Sequence, residues 1–65
     1  MALMQELRDE HNHTFARIYD NGDRLEIRDE HNHTLGYYYK NSDETRDEHN
    51  HTIGKGNQLL LLVKR

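Results

Sequence analysis

The stretch Arg8-Asp9-Glu10-His11-Asn12-His13-Thr14 occurs three times in this chain, again as Arg28–Thr34 and as Arg46–Thr52. Its chemistry is that of a β-hairpin turn. A three-residue hairpin loop uses a type I turn followed by one residue in the left-handed region. Asp suits the first position, where its carboxylate accepts from nearby N–H groups. Asn tolerates left-handed backbone better than any residue except Gly. Asp9 and Asn12 fill those two slots, and Asp29/Asn32 and Asp47/Asn50 repeat the match. The turn sets a register in which Asp9 faces His13, Arg8 faces Thr14 and Leu7 faces Phe15. Alternation along a strand then places Leu7, Asp9, His13 and Phe15 on one face, and Arg8 and Thr14 on the other.

Working outward, the repeats are joined by further turns. Asp20-Asn21-Gly22-Asp23 carries an Asn-Gly hairpin signal, and Lys40-Asn41-Ser42-Asp43 a weaker one. The segments Phe15–Tyr19, Arg24–Arg28 and Leu35–Tyr39 read as strands, with no proline to interrupt them. The expected fold is all-β: three pseudo-symmetric β-hairpins arranged like a fan. The hairpins cover about 3–19, 24–39 and 44–54, within one domain spanning 1–65. The segment 55–65 closes the unit as a short helix or strand, with the helix favoured and Asn57 as its N-cap.

Of the 65 residues, 32% are hydrophobic and 32% charged, with net charge −3. A core this small calls for help from metal, disulfide or self-association. Cysteine is absent, so disulfides and thiolate ligands are excluded. Lys and Arg are scattered, which speaks against nucleic acid. The longest apolar run, Leu59–Val63, is too short for a membrane span. Residues 1–4 lack the features of a signal peptide, so a cytoplasmic location is expected. Ser42 is the only serine and lies in a turn, so no enzymatic activity is expected.

All six histidines lie in the repeats. The turn explains Asp and Asn but not His. Neutral imidazole is the commonest protein metal ligand and suits zinc, copper, nickel and iron. If the three hairpins converge, His13, His33 and His51 form an inner triplet. Zinc is the first expectation, since three His with an open fourth position is a zinc arrangement. Six His could instead surround iron or nickel. Asp9, Asp29 and Asp47 would accept the second ring N–H of the inner set. His11, His31 and His49, at the loop tips, are expected to be more exposed. The competing reading is a metal-free interaction module, self-associating as a homo-oligomer through Tyr37–Tyr39 and the Leu59–Val63 run. Identity over seven residues beside looser flanks fits either selection on the loop or an engineered graft.

The pattern Asp-x-x-(Gly/Asn)-x-x-x-Gly, with the Asn32-to-Gly36 spacing and the ending Gly54-Lys55-Gly56-Asn57-Gln58-Leu59, resembles hairpin repeats of small bacterial and phage-associated proteins. It is also similar to the tyrosine-aspartate repeats of bacterial secreted toxins. Those proteins carry Gly-Arg where this chain has Asn-His. The resemblance implies a fan of hairpins and says little about activity. His-x-His itself resembles the iron-binding motif of phage tail spikes and fibres, where three chains each give one pair to an octahedral site. His-Asn-His shares only letters with HNH nucleases, which spread those residues over a ββα unit.

Overall fold

A computed structural model describes residues 2–63 of the chain. Residues 64 and 65 of the expected closing segment lie outside the described residues. Six strands follow one another: β1 (Ala2–Arg8), β2 (Thr14–Asp20), β3 (Arg24–Asp29), β4 (Thr34–Tyr39), β5 (Glu44–Asp47) and β6 (Thr52–Lys55). They form one open antiparallel sheet in sequence order. Among the described residues the protein is all-β, with a lone 3-10 helix at Leu59–Leu62.

The three repeats make the β1–β2, β3–β4 and β5–β6 turns, so all three loops lie at the same end of the sheet. The register departs from the expected one at one place. Leu7 pairs with Ala16, not Phe15, while Arg8 pairs with Thr14. Phe15 is therefore the extra residue of a bulge. Leu35 and Ile53 occupy the same position between Ile27↔Gly36 and Arg28↔Thr34, and between Thr45↔Gly54 and Arg46↔Thr52. The bulge lets Phe15 and Leu35 join the apolar side, where both pack against the core.

Alternation sorts the two faces of the sheet. One face carries Ala16, Ile18, Leu25 and Ile27, which with Leu59 form the buried core. Leu7, Tyr38, Leu62 and Val63 pack around it. The opposite face is made of Arg, Tyr and Glu. Arg24 lies 4.6 Å from the centre of the Tyr37 ring, and Arg28 lies 5.2 Å from that of Tyr19. Glu26 is buried on this side and accepts from Arg28 Nε at 2.8 Å and Thr34 Oγ1 at 2.6 Å. The consecutive Tyr37, Tyr38 and Tyr39 thus divide: Tyr38 faces the core, while Tyr37 and Tyr39 stand together on the other face with centroids 6.1 Å apart.

The closing segment covers the apolar face, as an unpartnered sheet face of this size requires. Thr45, fully buried, ties it down: its hydroxyl donates to the Gly56 carbonyl at 2.6 Å and accepts from the Gln58 N–H at 2.9 Å. Asn57 Oδ1 accepts from the Leu59 N–H at 3.3 Å, one residue before the helix cap at Gln58. The Leu59–Val63 run is split by burial. Leu59 enters the core, whereas Leu60 and Leu61 remain 64% and 71% exposed.

Candidate functional site: the three histidine loops

Each loop is built from the same few bonds. The Asp9 N–H donates to the His13 carbonyl at 3.0 Å, and the Asn12 N–H donates to the Asp9 carbonyl at 3.0 Å. The Asp9 carboxylate, through Oδ1, accepts from the His11 and His13 N–H groups, each at 2.9 Å. Asp29 and Asp47 repeat both carboxylate bonds at 2.9 Å. Asn12, Asn32 and Asn50 hold φ of 64°, 66° and 67°, the left-handed conformation that the turn requires. The backbone N–H groups of His33 and His51 are the chief reason why the Asp29 and Asp47 carboxyls sit below the ordinary carboxylate range.

The histidine rings stand outside this bonding. His11, His31 and His49 keep 72–73% of their side chains exposed, and His33 and His51 keep 79%. The tip histidines are therefore no more exposed than His33 and His51. His33 Nδ1 and His51 Nδ1 lie 3.8 Å from Asp29 Oδ2 and Asp47 Oδ2. That is beyond hydrogen-bond length, while Oδ1 of each carboxylate accepts from the backbone. Glu10, Glu30 and Glu48 bring an oxygen to 3.6, 3.7 and 3.4 Å from Nε2 of the adjacent His11, His31 and His49. Within each loop the two rings are separated by 6.3, 6.2 and 6.2 Å between centroids.

Neighbouring loops are two strands apart, roughly 10 Å along the sheet. Among the described residues, no group of three or more His, Asp or Glu side chains is placed to hold one metal ion. The loops share a cavity, though through other residues. Asp9, His13, Asp29, Glu30 and Glu48 line one cavity of about 440 Å³ together with Phe15, Leu35, Leu62 and Val63. Of the six histidines only His13 takes part. The sheet thus brings carboxylates of all three loops to one place and leaves the rings around them in pairs. Convergence of His13, His33 and His51 on a common centre is not the arrangement observed. The repeat places Asp and Glu before His in every copy, but which of these side chains line one cavity has no local signature.

Among the described residues, no helix is long and apolar enough to cross a membrane. Comparison of the chain with protein-family models, with curated proteins and with solved structures finds no match.

Proposed function

We propose that this protein binds transition-metal ions through its three His-x-His loops, each loop acting as a separate two-imidazole chelate. The observation that carries this reading is the repetition of one exposed ring pair in one geometry, in loops whose fold uses none of the rings. Two imidazoles bound tetrahedrally at Zn–N of about 2.0–2.1 Å would place their centroids roughly 5.3 Å apart. The observed pairs are within about 1 Å of that value, and exposed side chains cover such a gap by small rotations. The glutamate oxygen beside His11, His31 or His49 adds negative charge where a cation would sit. Zinc, copper, nickel and iron all accept imidazole, with copper expected to bind most tightly among the divalent ions. Water, or a pair from another chain, would complete the coordination.

Titration calorimetry of metal-free protein with Zn²⁺ tests this. The expected stoichiometry is three ions per chain, falling by one for each loop whose two His are replaced by Ala. Replacing either His of a loop should cost that loop its ion, so His13→Ala and His11→Ala behave alike. Unchanged Zn²⁺ binding after all six His are replaced would sink the reading.

A further inference from the structure

We infer that the two open edges of the sheet pair with each other between copies, β6 of one chain against β1 of the next, in a head-to-tail assembly. The partner is a second copy of this chain, and the argument is continuity with interfaces already present inside it.

The chain contains two junctions between successive hairpins, β2 with β3 and β4 with β5, and they share one register. The residue two places after the repeat Thr pairs with the Asp of the next repeat: Ala16↔Asp29 and Gly36↔Asp47. The following pairs also correspond: Arg17↔Arg28 with Tyr37↔Arg46, then Ile18↔Ile27 with Tyr38↔Thr45. The third hairpin has no fourth to meet. β6 and β1 are the outer strands of an open sheet, and they are not paired with each other. Because strands alternate in direction along this meander, β6 and β1 run antiparallel, as the junction demands. Continuing the register sets Gly54 against Asp9 and Lys55 against Arg8 of the next copy.

The hydrogen-bonding groups are in phase for this. The Asp9 N–H points inward, to the His13 carbonyl. Alternation then turns the N–H and C=O of Arg8 and Glu6 outward, to the free side of β1. Arg28 and Glu26 are their counterparts on β3, where those positions face β2. Unsatisfied groups on an open edge are a template for another strand. Neither edge strand carries proline. On β6 the Lys55 carbonyl accepts from Gln58 Nε2 at 2.7 Å, a side-chain bond that the incoming Arg8 N–H would replace. Apolar side chains left over on the flanking segments, Leu3 and Met4 on β1 and Leu60 and Leu61 after β6, are exposed. Lys55 and Arg8 are like charges, but so are Arg17 and Arg28, which already face each other inside the chain.

This inference stands apart from the histidine reading, and its test is run in EDTA so that bridging metal plays no part. The chain has no cysteine of its own, so engineered thiols report cleanly. A hydrogen-bonded antiparallel pair has Cα atoms about 5.5 Å apart, inside the disulfide range of about 4.4–6.8 Å. The probe is the Arg8→Cys, Lys55→Cys double variant, with each single variant beside it, all checked for sheet content by circular dichroism. Unaltered protein is weighed by sedimentation over a range of concentration. The expected result is a concentration-dependent mass above one chain for the unaltered protein. On mild oxidation the double variant should give disulfide-linked species of several chains, and the single variants should give none. Four results would each overturn the inference. They are a single-chain mass at every concentration, a disulfide within one chain, ready dimers from either single variant, and a double variant that folds without cross-linking.

Discussion

The Leu62 side chain rests directly over Gly36, where a Cβ on residue 36 would stand. The backbone carbonyl of Arg46 closes the same space from the neighbouring strand. Gly36→Ala therefore meets backbone, which cannot turn aside, and must displace the closing segment or β5. Overpacking of this kind costs about 1–3 kcal/mol. In a domain this small, that lowers the melting temperature by roughly 5–20 °C. Gly54→Ala is the matched control. Its Cβ would first meet the end of the Gln58 side chain, at 2.9–3.1 Å, which can swing away at the loss of its bond to the Lys55 carbonyl. Gly54→Ala should stay within about 1 kcal/mol of the parent. Equal losses for the two variants would contradict the packing described.

Thr45 offers a second test of the closing segment. It occupies the position that Leu7 and Ile27 fill in the other repeats, yet its hydroxyl joins Gly56 to Gln58. Thr45→Val keeps the shape and leaves both partners without their bond. We expect a loss of about 2 kcal/mol in urea unfolding. Faster amide exchange at Gln58 should accompany it. A neutral Thr45→Val would show that the segment is held by Leu59 and Leu62 alone.

Asn32, at φ 66°, separates turn chemistry from side-chain bonding. Asn32→Ala should destabilise by roughly 1 kcal/mol because Ala resists the left-handed region. Asn32→Gly should cost only a few tenths, since Gly enters it freely. Both variants lose the contact from Arg28 Nη1 to Asn32 Oδ1. A difference between them therefore reports the backbone, and a parallel loss would assign the effect to that contact.

Acid should weaken the loops in a defined window. The Asp29 and Asp47 carboxyls are held below their ordinary value of 3.8, chiefly by the His33 and His51 backbone N–H groups. A carboxyl that is more acidic when folded adds stability fully present above its unfolded pKa. That contribution is lost as pH falls below 3.8 through the lowered folded values. Denaturant midpoints taken from pH 5 to pH 2 should fall over that range. The fall should be shallower in Asp29→Ala and Asp47→Ala, which start lower.

Histidine replacement should leave the fold alone. With all six His changed to Ala, the melting temperature in EDTA should stay close to that of the parent, since exposed substitutions change stability by about ±0.5 kcal/mol. In the parent, excess Zn²⁺ should raise the melting temperature by mass action. That rise should vanish in the six-Ala variant and weaken on acidification, since protons compete with the metal for its ligands. A rise that persists in the six-Ala variant would move the metal to the carboxylates around the cavity.

How much of this was legible in the residues depends on how local each feature is. The repeated turn was fully legible, because Asp and Asn act within five residues of one another. The three hairpins followed from it, while the apolar closing segment was read separately, from the tail where the repeat pattern breaks. The bulge at Phe15, Leu35 and Ile53 was not read, although small residues two places after each Thr (Ala16, Gly36, Gly54) mark where the partner strand comes close. The arrangement of the loops could not be read from the repeat at all. It depends on how six strands coil together and on where Leu62 and Val63 come to rest. A threefold sequence pattern does not imply a threefold axis, and here it yields paired rings beside a shared cavity.

The meander order has a kinetic consequence. Every strand pairs only with its neighbours along the chain, so each sheet contact closes a short loop. Rates of folding rise as contacts become more local, and a single hairpin zips in about 1–10 μs. This chain should therefore assemble quickly for an all-β protein. Each hairpin can form as soon as it leaves the ribosome, and the docking of Leu59 and Leu62 across earlier strands would be the last step to complete.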